Sequence, residues 1–340
     1  VAPASAQEAL LCRLYGELTG AARVSAADNF FALGGHSLLA MRLIGAIRRE
    51  TGCEVALRQA FEHPTPRGLG AVLARAGAHI QYDPLLPIRP VGSQPPLFCV
   101  HPGGGLALIY KNLADTLDPD IPVYGLQAKG LEQQEEPHGS VVEMAACYLT
   151  AVRTAEPAGP YRLLGWSFGG VVAHEMARLI EAAGEEVEVL LLLDVSLSVP
   201  AGAEAPAGEA DLVQEAAGLL EIDISALDRE TARAELTRAA IARGLVPAGT
   251  GAEWIEQIMG EMRREGELMR AHQPGIVRAS TVYYRAADNE DEWVIDNTRK
   301  LCGEPFVIIP IAAKHNSMLK PDPAATIGGD LGRRLIRREQ

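Results

Sequence analysis

Positive charge, cysteine and long apolar runs are all scarce in this chain of 340 residues, and each scarcity removes a class of function. Lys and Arg number 31 against 44 Asp and Glu, which gives a formal charge of −13 and a pI near 5.2. That balance argues against a nucleic-acid partner, because phosphate recognition calls for a basic surface. The 5 cysteines, Cys12, Cys53, Cys99, Cys147 and Cys302, are odd in number and form no Cys-x-x-Cys pair. They read as buried, reduced thiols of a cytosolic protein, and no metal site is expected. No apolar run reaches about 18 residues and no signal peptide is present, so no membrane span is expected and the location reads as cytoplasmic. Internal repeats are absent as well. Only 5 % of the residues are aromatic, yet 48 % are hydrophobic, enough for a sizeable core, and the length fits two domains.

What is present begins with Leu164-Gly165-Trp166-Ser167-Phe168-Gly169-Gly170. Tyr161 to Leu164 reads as the end of a buried strand, and Val171 to Ile180 has the apolar spacing of a helix. Gly-x-Ser-x-Gly between the two is the sharp turn that lifts a serine Oγ above an α/β-hydrolase sheet. The flanking glycines let strand and helix approach without clashing Cβ atoms, as a strained serine backbone requires. The free N–H groups and positive dipole end of the helix face the place where an oxyanion forms. Alone, the pentapeptide also fits an ordinary turn. Its strand–turn–helix setting makes Ser167 the candidate nucleophile.

In that fold the serine's partners follow it as acid, then histidine. Val187 to Leu193 is a nearly unbroken apolar run, as a strand buried on both faces should be, and Asp194 ends it at the carboxyl edge of the sheet. Asp194 is the candidate orienting acid. A plain turn residue is the alternative reading, and Asp288, after a later strand, is the competing acid. Pro305 to Ile311 reads as the final strand, and the loop Lys314-His315-Asn316-Ser317-Met318-Leu319 follows it. His315 is the candidate general base. His174 falls inside the helix after the elbow, and the surroundings of His272 are undefined.

An oxyanion hole needs two backbone donors. One is the N–H of Phe168. The other belongs to His101-Pro102-Gly103-Gly104-Gly105, the loop after the strand Pro96 to Val100, where glycines let an N–H turn inward. Gly103 or Gly104 fills that place, with Gly104 preferred. A flexible loop without a catalytic part is the plainer reading. A phosphate loop is disfavoured, since no Lys-Ser or Lys-Thr follows the glycines.

A second signature lies in the first eighty residues. Asp28-Asn29-Phe30-Phe31-Ala32-Leu33-Gly34-Gly35-His36-Ser37-Leu38-Leu39-Ala40-Met41 resembles the attachment motif of peptidyl carrier proteins. The resemblance implies a small four-helix bundle over residues 1–78, with 4′-phosphopantetheine carried covalently on Ser37. The local physics agrees. Ser37 follows a Gly-Gly turn and opens an apolar helix, so a phosphodiester there meets the helix's positive end. Unmodified, Ser37 would be a mere helix cap. This segment is weakly basic while the remainder is strongly acidic, which favours encounter between the two parts.

Residues 96–340 resemble the type I thioesterase domains of non-ribosomal peptide synthetases, an α/β-hydrolase family. The matching residues are Leu97 to Gly105, Gly165 to Gly170, Leu193-Asp194 and His315 to Leu319. Carrier followed by thioesterase implies a termination module, in which peptidyl thioester passes from the arm on Ser37 to Ser167 and leaves by hydrolysis or macrocyclisation. The implied partners are upstream condensation and adenylation domains, a phosphopantetheinyl transferase and the peptidyl substrate. The chain starts at Val1 rather than Met, which fits a piece of a larger synthetase.

Residues 79–95 read as a proline-rich, semi-rigid linker. Val199 to His272 reads as a helical insertion, with helices around Asp211–Leu220, Arg229–Arg243 and Glu253–Arg270 after a mobile opening. Helices inserted over a hydrolase site form a lid, and a lid that excludes water favours cyclisation. A plain surface insertion is the alternative. Two rival classes remain: a stand-alone serine esterase, opposed by the Ser37 motif, and a binding module with a dead triad, opposed by the intact Ser167, Asp194 and His315.

Overall fold

The computed structural model describes residues 1–51, 53, 55, 57–75, 83–129, 136–199, 209–220, 222–242 and 253–335. Chain contacts divide these into two compact units, residues 1–82 with 227–255, and residues 83–226 with 256–340. Among the described residues no helix is long and apolar enough to cross a membrane.

The first unit is built on helices α1 (Ala6–Thr19), α2 (Ser37–Thr51), α3 (Leu57–Glu62) and α4 (Pro66–Arg75). Ser5 caps α1 by accepting the Glu8 N–H, and Gly20 ends it in the left-handed conformation, φ 77°. Leu11, Leu14 and Tyr15 of α1 are buried with Phe30, Leu43, Ile47 and Leu69, so one apolar stripe from each helix meets the others. α1 packs on α2 and α4, and α3 on α2 and α4.

The second unit centres on a 7-stranded sheet of order β1-β3-β2-β4-β5-β6-β7. Its strands are β1 (Leu85–Arg89), β2 (Leu97–Val100), β3 (Val123–Leu126), β4 (Tyr161–Trp166), β5 (Val187–Leu193), β6 (Ser280–Ala286) and β7 (Gly303–Ile311). β1 runs antiparallel to β3 and every other pair is parallel. Every residue of β2 and β4 is buried; β2 is apolar throughout, and in β4 only Arg162 is charged, its guanidinium paired with Glu188. Helices α5 (Lys111–Thr116), α6 (Val141–Ala155) and α7 (Phe168–Ala182) connect the first strands.

The linker expected over residues 79–95 is corrected in its middle. Leu85–Arg89 is an edge strand, paired with β3 and carrying Pro87 where the ladder breaks register. An edge is where a sheet tolerates proline. The Arg89 guanidinium fastens the strand by donating to the carbonyls of Ala114, Leu117, Asp118 and Ile121. Residues 79–82 of the expected linker lie outside the described residues.

The insertion after β5 contains α8 (Glu209–Leu219), α9 (Arg229–Ala242) and α10 (Glu253–Ala271), within two residues of the expected helices. α9 falls among the residues grouped with the first unit, α8 and most of α10 with the second. The opening expected to be mobile, Pro200 to Gly208, lies outside the described residues. α11 (Glu292–Leu301) and α12 (Pro321–Leu335) complete the second unit. Of the free cysteines, Cys99 and Cys302 are buried, whereas Cys12, Cys53 and Cys147 are only half-buried, which corrects the expectation for those three.

Candidate active site

Ser167 stands between β4 and α7 with φ 53° and ψ −127°, a conformation a side-chain-bearing residue holds only under constraint. The constraint is close packing. A Cβ on Gly165 would lie 2.2 Å from the Gly169 carbonyl oxygen, and one on Gly169 would lie 2.4 Å from the carbonyls of Val100 and His101. Only glycine at both places lets helix, strand and the loop after β2 converge. The Ser167 N–H donates to Leu193 O at 3.2 Å, which ties the elbow to β5.

Asp194 follows that same strand, also at positive φ, 49°, and its N–H reaches over to Tyr284 O of β6 at 2.8 Å. Its carboxylate thereby arches over the end of β6. Oδ2 accepts the His315 Nδ1–H at 2.6 Å, while Oδ1 accepts from Asn289 Nδ2 at 2.7 Å and the Ala286 N–H at 3.1 Å. Burial opposes the charge of this carboxylate, but the bonds from His315, Asn289 and Ala286 outweigh it and hold the pKa below the ordinary value. With Nδ1 engaged, Nε2 is the imidazole atom left to serve as base. The His315 ring lies 5.7 Å from the Trp166 ring, centroid to centroid, beside the elbow. Among the described residues no hydrogen bond joins Ser167 to His315, a looseness common before substrate binds. Asp288, the competing acid, accepts the His315 backbone N–H at 2.8 Å instead.

The oxyanion loop differs from its expected form. Gly104 N–H donates to Oε2 of Glu265, on α10, at 2.7 Å, so the preferred donor is already engaged. Gly103 N–H and Phe168 N–H have no acceptor among the described residues. The His101 ring lies 6.1 Å from that of Phe168, which brings loop and elbow together. His101 itself is fully buried, with Nε2 at 2.7 Å from the Tyr148 hydroxyl, and burial pulls its pKa down to about 4. His174 is fully buried against Leu301 O, and the His272 ring packs near Glu175; both are packing residues.

Sequence reading missed Tyr110. Its hydroxyl donates to Val100 O at 2.6 Å and accepts the Trp166 N–H at 3.0 Å, joining the end of β2 to the elbow. A lone tyrosine in a short 3-10 turn carries no signal of that role. A groove of about 340 Å³ opens beside His315, lined by Gln214, Gly218, Asp223, Asp288 and Lys320 among others.

In the first unit, Ser37 is the first residue of α2, after an exposed His36, and no acidic residue occupies the helix's first turn. The turn before it is built locally. Asn29 Oδ1 accepts the Phe31 N–H at 2.9 Å, Phe30 N–H donates to Pro64 O at 2.8 Å, and a Cβ on Gly35 would strike the Phe30 ring at 2.4 Å. A helix whose first turn carries no acidic residue suits a phosphodiester on Ser37.

Residues 95–326 match the Thioesterase domain family, and residues 9–73 match the phosphopantetheine attachment site family. The chain therefore belongs to the thioesterase family and carries a phosphopantetheine attachment domain ahead of it. It is 36 % identical to a dimodular nonribosomal peptide synthase of Bacillus subtilis over 98 % of its own length, and spans 14 % of that relative. Among solved structures, a four-domain nonribosomal peptide synthetase in its holo form matches with a TM-score of 0.67 at 22 % identity, covering 99 % of this chain and 27 % of that one. The NocB thioesterase domain, in covalent complex with a fluorophosphonate nocardicin G analog, matches with a TM-score of 0.54 at 29 % identity, covering 74 % of this chain and 99 % of that one.

Proposed function

We propose that this chain is the termination end of a nonribosomal peptide synthetase, releasing a peptide from its own carrier domain. The observation that carries the reading is the 2.6 Å pairing of His315 Nδ1 with Asp194, beside the Ser167 elbow and in one chain with an attachment domain. α1 to α4 form the carrier's four-helix bundle, with Ser37 as the modified residue. Phosphopantetheine supplies a flexible thiol on which the acyl chain travels as a thioester.

Ser167 Oγ attacks the thioester carbonyl as His315 Nε2 takes its proton, and Asp194 stabilises the imidazolium that forms. Phe168 and Gly103 donate to the oxyanion, each worth about 3–4 kcal/mol by analogy with other hydrolases. His315 Nε2 returns its proton to the leaving sulfur as the carbon–sulfur bond breaks, and the acyl group remains as an ester on Ser167. His315 then activates a second nucleophile, water or an amine or hydroxyl of the peptide, giving a linear acid or a macrocycle. The groove beside His315 offers that nucleophile a place. α8 and the part of α10 grouped with the second unit act as a lid whose exclusion of water favours cyclisation. Condensation and adenylation domains upstream and a phosphopantetheinyl transferase are the partners this requires. A stand-alone esterase would have no use for the attachment domain.

The test is to load Ser37 with a synthetic peptidyl-pantetheine and follow the chain by intact mass. The peptide should move to Ser167, in competition with a fluorophosphonate, and then leave. A peptide that stays on Ser37 in the wild type, or leaves equally fast from Ser167→Ala, would overturn the proposal.

A further inference from the structure

Glu265 is a carboxyl group sealed inside the second unit. It is 1 % exposed, and its Oε2 accepts the Gly104 N–H at 2.7 Å. A buried carboxyl needs such donors, because burial without them costs several kcal/mol. Its Oε1 lies 3.5 Å from His101 Nδ1. That nitrogen is also 2.8 Å from Pro102 O, which can only accept, so Nδ1 carries the proton and Nε2 accepts from the Tyr148 hydroxyl. That proton goes to Pro102 O, and Glu265 Oε1 lies within 3.5 Å of the same nitrogen. Glu265 thus touches the loop on both sides of Pro102-Gly103, at His101 and at Gly104.

The same helix face clamps the loop by packing. Ile258, Met262 and Glu265 recur at helical spacing along one side of α10. A Cβ on Gly104, whose φ is +87°, would lie 3.1 Å from Ile258 Cγ2 and 3.5 Å from Met262 Cγ. The loop thus lies against α10 with no room for a larger residue, and Glu265 holds the Gly104 N–H, the donor next to Gly103.

We infer that Glu265 is a positioning residue for the oxyanion hole: by taking the Gly104 N–H it fixes the loop so that the Gly103 N–H is the donor. This rests on the thioesterase reading above and adds a coupling to it. The insertion helix sets the hole directly, through one hydrogen bond and one packing stripe, so a displacement of α10 moves the donor. A misplacement of about 1 Å at such a site costs about a hundredfold in rate.

The experiment uses the full chain with a soluble acyl thioester, and an acyl trifluoromethyl ketone whose hemiketal oxygen occupies the oxyanion position. Glu265→Ala should lower kcat by about a hundredfold, the worth of one misplaced donor, with KM unchanged. Affinity for the trifluoromethyl ketone should fall by the same factor. Glu265→Gln keeps an acceptor for Gly104 and nearly the same volume, so it folds like the wild type and should regain most of both. Faster turnover in either variant would overturn the inference, since the carboxyl would then be blocking the hole. So would a loss of kcat without a loss of ketone affinity, which marks general packing. Failure of the thioesterase reading looks different: the wild type would not turn over the thioester, or Ser167→Ala would match it.

Discussion

Asp288 Oδ1 accepts the backbone N–H of His315 at 2.8 Å, while the imidazole of the same residue turns to Asp194. Two acids thus serve one histidine, one fixing its loop and the other its ring. Asp194→Asn should preserve the fold but favour the wrong tautomer, with a loss of up to roughly 10⁴-fold in turnover. Asp288→Asn retains an oxygen for the backbone N–H and should lose less than about tenfold, since a neutral acceptor still satisfies that donor. Acyl-enzyme formation from one activated ester measures both. A crippled Asp288→Asn beside an active Asp194→Asn would reverse the assignment.

The two serines should separate cleanly. Ser167→Ala is expected to accept phosphopantetheine and never release acyl groups. Ser37→Ala should refuse phosphopantetheine yet turn over soluble thioesters at the wild-type rate. Intact mass and thioester turnover, measured on both variants, decide it; loss of soluble turnover in Ser37→Ala would rule out two independent sites.

Burial holds His101 at about 4, below the ordinary histidine value near 6.5. Protonation is disfavoured in the folded chain, so between those values the unfolded chain binds more protons and stability rises with pH. The contribution is complete above about pH 6.5 and gone by about pH 4, on the order of 3 kcal/mol. Asp194, with a lowered pKa, adds stability that disappears only as pH falls below the ordinary carboxylate range. Melting temperature against pH should therefore be flatter in His101→Gln than in the wild type between these limits. Parallel curves would place the effect elsewhere.

Tyr110→Phe removes a hydroxyl that serves both Val100 O and the Trp166 N–H. Leaving those buried groups without a partner costs about 1–3 kcal/mol each. Urea unfolding should show a loss of that order. Turnover should also fall, because the spacing between the loop after β2 and the elbow relaxes. An unchanged midpoint would mean that water replaces the hydroxyl.

The candidate residues were legible because each follows a strand at the carboxyl edge of the sheet. Ser167 and Asp194 come directly after β4 and β5, whose last residues are apolar and buried, and His315 lies in the loop after β7. β1 was not legible, since proline breaks its alternation and an edge strand of five residues carries little pattern of its own. The bond that engages the Gly104 N–H was illegible for a different reason. Its acceptor Glu265 lies 161 residues away, on a helix rich in Glu and Arg that resembles a solvated face. The available signal was spacing: Glu265 shares a stripe with Ile258 and Met262, where a charge is unexpected.

Ser167 and Asp194 both precede the insertion, and β6 resumes in register against β5, Leu190 opposite Thr281 through Leu193 opposite Tyr284. The long excursion between those strands therefore begins and ends on one hydrogen-bonded ladder. Lengthening such a closed excursion costs little, about 0.6 kcal/mol per doubling. Chimeras that replace the segment should therefore fold without redrawing the ladder that carries Ser167 and Asp194. A replacement has to keep the three-residue stripe of α10 that meets Gly104 and the α8 residues, Gln214 and Gly218 among them, that line the groove beside His315.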